Sequence, residues 1–350
     1  MQKVFVGRGK IIELKNILHD INAKNVVMFH GKRPLKQNKI LIDGLLSGYD
    51  TVFYSDFEPN PKYEQIQNAI NQLKGHKISA VIAFGGGSVI DFAKAFRFYS
   101  GLTAPLIAIP TTSGTGSEAT QFAVVYIDGK KTSLDDSVIL PEYAIIDSQF
   151  SEQVPQYIKA CSAIDAYSQA IESYWSVRST QESQHYAKQS MILCKNNIES
   201  YVLSSDSQCC ENMALASYLS GKAINISRTT AAHALSYTIT TKYGIPHGHC
   251  VALSMANLFV ANMRVTEDNC NDKRGAYFVR KQLSDILGFL NLKSGAEFAK
   301  YWCWLMSKLG LEYNVSKLGI KDKTDIIKNV NAQRLGNNPV KITNLNELFR

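Results

Sequence analysis

The 350-residue sequence contains no run of 18 apolar residues, no CxxC pair, no block of five like charges and no internal repeat. Each absence excludes something. Without a long apolar run, no transmembrane helix and no membrane partner are expected. The seven cysteines, Cys161, Cys194, Cys209, Cys210, Cys250, Cys270 and Cys303, are odd in number and scattered. They outline neither a disulfide framework nor a zinc ribbon, and reduced thiols in a cytoplasmic protein are expected. The opening "MQKVFVGRGKIIEL" lacks the apolar stretch and small-residue cleavage site of a secretory signal. With no zinc-finger spacing and no RNA-binding aromatic signature, nucleic acid is not an expected partner. The formal charge of +8 and pI near 9.0 then favour an anionic small molecule.

The apolar share of 45% and charged share of 19% are those of a globular chain, and the length suits two domains. Over the first 150 or so residues, short apolar runs alternate with amphipathic stretches. "NVVMFHG" (25–31), "YDTVFYSD" (49–56), "ISAVIAFGG" (78–86), "APLIAIPTT" (104–112) and "EYAIID" (142–147) read as strands. The intervening segments have helical period, which predicts an α/β domain with a parallel sheet covered on both faces. "FAVVYIDGKKTSL" reads as a hairpin or edge strands. Beyond "VPQY" the apolar spacing is helical throughout, which predicts an all-α second domain. The expected domains are 1–153, binding a dinucleotide, and 154–350, helical and binding a metal.

"ISAVIAFGGGSVIDFAKA" is a strand, a triple-glycine turn and a helix. Backbone N–H groups at a helix start lack internal partners and carry partial positive charge, and glycine lets a pyrophosphate approach them. Gly85, Gly86, Gly87, Ser88 and Asp91 are therefore candidate cofactor residues. The next strand runs into "IPTTSGTGSEAT". Its Thr111, Thr112, Thr115 and Ser117 belong at the carboxyl edge of the sheet, where ligands bind in open α/β folds. After "NVVMFH" an acidic residue would hold the ribose 2′-hydroxyl of NAD(H). Here Gly31, Lys32 and Arg33 follow instead, which favours NADP(H).

In "SAIDAYSQAIESYW", Asp165 and Gln169 lie four apart and share one face of an otherwise apolar helix. Further on, "AAHALSYTITTKYGIPHGH" sets His233 and His247 on either side of a Gly-Ile-Pro break. Together with "GGGSVIDFAKA" and "IPTTSGTGSEAT", these segments resemble the iron-containing, or group III, alcohol dehydrogenases in order and spacing. The resemblance implies a dinucleotide-binding α/β domain, a helical domain carrying a divalent metal, Fe2+ or Zn2+, and an active site in the cleft between them. It implies Asp165, His233 and His247 as metal ligands. The family's fourth ligand is a histidine, and here Gln169 stands in its place. An amide oxygen is a weaker donor, so Gln169 can ligate directly, ligate through water or leave a three-ligand site. Tyr237 replaces a second histidine that many members carry one turn after His233, and is the candidate catalytic residue.

"SQAIESYWSVRSTQES" and "RLGNNPVKIT" resemble the phosphonoacetaldehyde reductase branch of that family. This implies reduction of phosphonoacetaldehyde to 2-hydroxyethylphosphonate, and an anionic aldehyde needs cations. Arg178, Lys188, Lys195 and Arg228 are the candidates by proximity in sequence. The resemblance also implies a homodimer or higher oligomer. Three other readings compete: a general alcohol or aldehyde dehydrogenase of the same family, a lyase like dehydroquinate synthase, and a nucleotide-binding protein that has lost its metal.

Overall fold

A computed structural model describes residues 2–349. The chain divides into two compact units, residues 1–154 and 155–350. The strands are β1 (Lys3–Val6), β2 (Asn25–His30), β3 (Asp50–Tyr54), β4 (Ala80–Gly85), β5 (Leu106–Pro110), β6 (Phe122–Ile127), β7 (Lys130–Asp135) and β8 (Tyr143–Ile146). Six of them form a parallel sheet in the order β1-β8-β5-β4-β2-β3. β6 and β7 make a separate antiparallel pair, the hairpin expected from "FAVVYIDGKKTSL". β1 is an addition to the expected strands: its four residues are too short, and too exposed at a sheet edge, to carry a periodic signal.

The central strands are buried on both faces, so they read as continuous apolar runs. Alternation survives inside those runs. Val27, Phe29, Val81 and Ala83 enter one core, while Val26, Met28, Ile82 and Phe84 enter the opposite one. The covering helices are α1 (Glu13–Asp20), α2 (Lys32–Leu46), α3 (Tyr63–Gln72), α4 (Gly87–Ser100) and the short α5 (Ser148–Glu152).

The second unit is helical, apart from an isolated bridge between Cys270 and Val340. Its helices are α6 (Gln156–Trp175), α7 (Gln181–Leu203), α8 (Ser207–Ser227), α9 (Ala231–Tyr243), α10 (His247–Asn262), α11 (Ala276–Leu290), α12 (Gly295–Lys308), α13 (Thr324–Lys328) and α14 (Ala332–Gly336). α6 is buried around nearly its whole circumference and packs against α7, α8 and α10. A helix so placed is expected to be apolar all round. Its Asp165, Gln169 and Glu172 are therefore buried polar groups that require partners. No helix among the described residues is long and apolar enough to cross a membrane.

The carboxyl ends of β2, β4 and β5 lie side by side. Gly31 N–H donates to the Phe84 carbonyl at 3.0 Å, and Thr111 N–H to the Gly85 carbonyl at 3.0 Å. The threonine loop folds directly onto the glycine turn. A Cβ on Gly87 would lie 2.6 Å from Thr115 Oγ1 and 2.7 Å from its Cγ2. Gly87→Ala is therefore expected to displace the loop and destabilise the fold by about 1–3 kcal/mol, as overpacking does. Urea denaturation of wild type and variant measures this, and an unchanged midpoint would contradict the close approach.

Candidate metal centre and dinucleotide site

The metal centre is built on α6, α9 and α10. Ligand atoms of Asp165, His233 and His247 all lie within 4.8 Å of one another. The local sequence explains how. α9 ends at Tyr243 with Gly244 in the left-handed conformation, φ 67°. Pro246 then caps α10, so His247 opens the new helix. At Gly248 the first turn of α10 meets the backbone of α6: a Cβ there would lie 2.0 Å from the Cys161 carbonyl oxygen and 2.7 Å from Asp165 Cβ. Glycine at that position permits the approach that brings His247 to Asp165.

His233 is fixed by Glu172, which is absent from the residues expected at the site. Glu172 is wholly buried, two helical turns after Asp165 on the same face of α6. Its Oε1 accepts from the backbone N–H of Thr230 (3.1 Å) and Ala232 (2.9 Å) and from the Thr230 hydroxyl (2.7 Å). It thus closes the amino end of α9, where a carboxylate is favoured. Glu172 Oε2 pairs with His233 Nδ1. That leaves His233 Nε2 facing Asp165 Oδ1 at 3.3 Å. Both atoms are buried, and neither makes a well-aligned hydrogen bond. A carboxylate oxygen and an imidazole nitrogen, opposed and otherwise unsatisfied in a dry core, fit a divalent cation shared with His247. The one sequence signal for Glu172 is its place seven residues after Asp165, on the same helical face.

Gln169 bears on Asp165. Its Nε2 donates to Asp165 Oδ2 at 3.2 Å, and its Oε1 accepts from the Ser220 hydroxyl at 2.9 Å. The amide oxygen expected to replace an imidazole donor is thus engaged by Ser220. The geometry suits a three-ligand set in which Gln169 orients the carboxylate. Tyr237 lies beside this set. Its ring stacks on that of His247, with centroids 6.1 Å apart and planes at 25°. His247 Nδ1 contacts the Ser236 hydroxyl at 3.3 Å. Burial pushes the Tyr237 hydroxyl above its usual pKa, and the Arg334 guanidinium within hydrogen-bonding reach partly offsets this.

The four expected substrate cations lie on the connector between α6 and α7, on α7 and at the end of α8. Arg178 is exposed, and Lys195 is half-buried on α7. Lys188 sits over the Phe289 ring, 4.7 Å from its centroid. Arg228 turns back to donate to the Asn225 carbonyl at 2.7 Å.

In the first unit, Gly85 ends β4, and Gly86 caps α4, which begins at Gly87 and Ser88. Gly86, Gly87, Ser88, Thr112 and Thr115 are partly exposed along the sheet's carboxyl edge, and Thr111 is buried there. The Ser88 hydroxyl accepts from Asn60 N–H at 3.2 Å. Lys32 and Arg33 open α2 after Gly31 and are exposed, with Arg33 reaching the Gln153 carbonyl at 3.5 Å.

Asp91 and Ser117, expected at the cofactor, bond to one another, and Asp91 also accepts from Val124 N–H at 3.0 Å. Beneath them lies Lys94, which no sequence pattern marks. Its fully buried ammonium donates to the carbonyls of Ser117, Thr120 and Phe122 at 2.5, 2.7 and 3.0 Å. Burial pulls Lys94 down to about 8 against the pull of Asp91 and Glu118, and pushes Glu118 up to about 7. This network braces the threonine loop from below.

The comparisons with known proteins agree with this architecture. Residues 1–148 match the iron-containing alcohol dehydrogenase family, and residues 159–346 match the C-terminal part of the Fe-containing alcohol dehydrogenase family. The chain is 31% identical over 273 residues to long-chain-alcohol dehydrogenase 1 of Geobacillus thermodenitrificans, covering 71% of this chain and 69% of that protein. It is 29% identical to phosphonoacetaldehyde reductase of Streptomyces viridochromogenes, over 70% of this chain and 68% of that one. Its fold superposes on the NAD+ complex of sulfoacetaldehyde reductase from Bifidobacterium kashiwanohense with TM-score 0.86 at 25% identity, covering 98% and 94% of the two chains. The protein belongs to the iron-containing alcohol dehydrogenase family.

Burial disfavours the charged form of His233, but Glu172 and Asp165 outweigh it and raise its pKa from 6.5 to about 9. The raised value stabilises the metal-free fold fully below pH 6.5, and that contribution fades as the pH climbs through about 9. Metal entry must displace the same proton. The apparent Zn2+ affinity is therefore expected to rise about tenfold per pH unit between pH 7 and 8.5. In Glu172→Gln it is expected to be about 10–100-fold weaker, with a shallower slope. Competition titrations with a chromophoric chelator measure both, and equal affinity and slope in the two proteins would contradict the assigned role of Glu172.

Proposed function

We propose that this protein is a metal-dependent NAD(P)H oxidoreductase that reduces an aldehyde to a primary alcohol, with phosphonoacetaldehyde as substrate and 2-hydroxyethylphosphonate as product. The observation that supports the reading most directly is the meeting of Asp165, His233 and His247, with Tyr237 stacked on the last of them. These three residues would hold the cation, Fe2+ or Zn2+. When bound, the cation would supply Lewis acidity toward a carbonyl oxygen, and the nicotinamide would supply a hydride.

The protein's own groups do the rest. Glu172 holds His233 by one nitrogen so that the other faces Asp165. Gln169 holds the second oxygen of Asp165. Tyr237, its pKa raised by burial, keeps its proton at neutral pH and would give it to the product oxygen. The amides at the start of α4 offer donors to a pyrophosphate. The NAD+ bound by the similar sulfoacetaldehyde reductase supports NAD(H) as cofactor, and the exposed Lys32 and Arg33 extend acceptance to the 2′-phosphate of NADP(H).

Similarity to reductases named for phosphonoacetaldehyde and sulfoacetaldehyde supports an aldehyde carrying an acidic group. The 31% identity to a long-chain-alcohol dehydrogenase favours a second reading, a general alcohol dehydrogenase. Steady-state oxidation of NADH and NADPH separates the two. We expect kcat/KM for phosphonoacetaldehyde to exceed that for propionaldehyde by at least about tenfold, one well-placed charge-assisted hydrogen bond being worth that much. Equal values would leave only the general reading. Tyr237→Phe is expected to keep its metal and lose about 100-fold in kcat, and unaltered kcat would remove Tyr237 from the chemistry. Lys32→Ala with Arg33→Ala is expected to shift the NADPH-to-NADH preference toward NADH, and an unmoved ratio would contradict that role.

A further inference from the structure

In "RLGNNPVKIT", Asn337 and Asn338 follow directly after α14, and both are buried. Asn337 Nδ2 donates to the Ser227 and Thr229 carbonyls at 2.9 and 3.0 Å. Its Oδ1 accepts from Arg178 N–H at 3.2 Å and lies 3.1 Å from the Ser176 hydroxyl. Its own carbonyl accepts from Val177 N–H at 3.1 Å. One residue thus joins the end of α6, the helix of Asp165, to the connector between α8 and α9, and both of its amide protons are used. Asn338 reaches the third helix that bears a ligand. Its Nδ2 donates at 2.8 Å to Oδ1 of Asn262, the last residue of α10, which opens with His247.

The two carbonyls that receive the Asn337 amide flank Arg228. That residue lies at φ 63°, ψ 173°, a region open to glycine and costly for any side chain. Asn337 therefore holds the connector in a conformation that Arg228 itself disfavours. The Thr229 carbonyl and the Thr230 N–H belong to one rigid peptide unit. Asn337 holds its oxygen, and Glu172 Oε1 receives its N–H at 3.1 Å. The same Oε1 receives Ala232 N–H at 2.9 Å, and the other oxygen of Glu172 pairs with His233 Nδ1. His233 Nε2 then faces Asp165 Oδ1 at 3.3 Å. Each step from Asn337 to Asp165 is a direct contact, a shared peptide unit or the two side chains of one residue.

We propose that Asn337 is a positioning residue of the metal centre: by holding the Thr229–Thr230 peptide unit and the strained Arg228 beside it, it presents the start of α9 to Glu172 and so aims His233 at the cation. The inference rests on the reading of Asp165, His233 and His247 as metal ligands. Relaxation at Arg228 would turn the first amides of α9 away from Glu172 and release the ring of His233.

The test uses the full-length protein. Zn2+ affinity, measured by competition with a chromophoric chelator, is expected to fall about 10–100-fold in Asn337→Ala. Glycine at position 228 removes the strain that Asn337 opposes, so adding Arg228→Gly to Asn337→Ala is expected to recover most of that loss. Gln282→Ala serves as the control. It removes another buried amide, which donates to the Tyr174 carbonyl at 2.7 Å, and is expected to keep the wild-type Zn2+ affinity. Amide hydrogen exchange on the metal-free protein reads the same device without any ion. Faster exchange in Asn337→Ala is expected at residues 230–234 and not in α12. Unchanged Zn2+ affinity in Asn337→Ala, an equal loss in Gln282→Ala or no recovery with Arg228→Gly would overturn the proposal. Wild-type protein that binds Zn2+ no better than His233→Asn, with the local exchange response intact, would overturn the metal reading and leave the hold of Asn337 on α9 standing.

Discussion

A carboxylate without access to water, Glu172, closes the amino end of α9 and grips one nitrogen of His233. Much of the helical unit is arranged around that contact. It explains why a charged residue lies in the middle of the most buried helix, since removing either partner would strand the other in a dry core. It also explains the orientation of the metal centre. With Nδ1 engaged, only Nε2 of His233 can face Asp165, and loss of the Nε2 proton to an arriving cation leaves the tautomer needed for ligation. Gln169 does for Asp165 what Glu172 does for His233, holding one oxygen and leaving the other.

The connector between α8 and α9 shows how firmly this arrangement is imposed. Arg228 lies at φ 63°, ψ 173°, a region where side chains are rarely found and which costs about 1–3 kcal/mol. The surrounding bonds account for its persistence. Ser176 and Asn337 bind the Ser227 carbonyl, Asn337 also binds that of Thr229, and Trp175 Nε1 donates to the Thr230 hydroxyl at 3.0 Å. The strained residue lies three positions before the first residues of α9, whose amides Glu172 receives. The C-terminal segment around α14, which supplies Asn337 and Arg334, thus belongs structurally to the metal centre.

Much of this is legible in the sequence. The parallel sheet follows from strands alternating with amphipathic helices, and the glycine turn and threonine loop fall at the sheet's carboxyl edge as expected. Asp165, His233 and His247 emerge only through a family resemblance, because nothing in their spacing alone requires them to meet. What stays hidden has physical causes. β1 is four residues long and joins the sheet only through a partner 140 positions away in the chain. Lys94 and Glu172 look like ordinary charges on amphipathic helices until burial is known. Gln169 has the chemical type of a metal donor, and nothing in the sequence announces that its amide oxygen also meets Ser220 from another helix. Arg334 is about a hundred residues from Thr229 and is brought to its hydroxyl by the fold.

X-ray absorption at the zinc edge of the zinc-loaded protein tests the central claim most directly, because it counts imidazoles around the ion. Two imidazole ligands and the remainder light oxygen donors, with one imidazole lost in His233→Asn, is the predicted result. A spectrum with fewer than two imidazoles, or one unaltered by that substitution, would contradict the account.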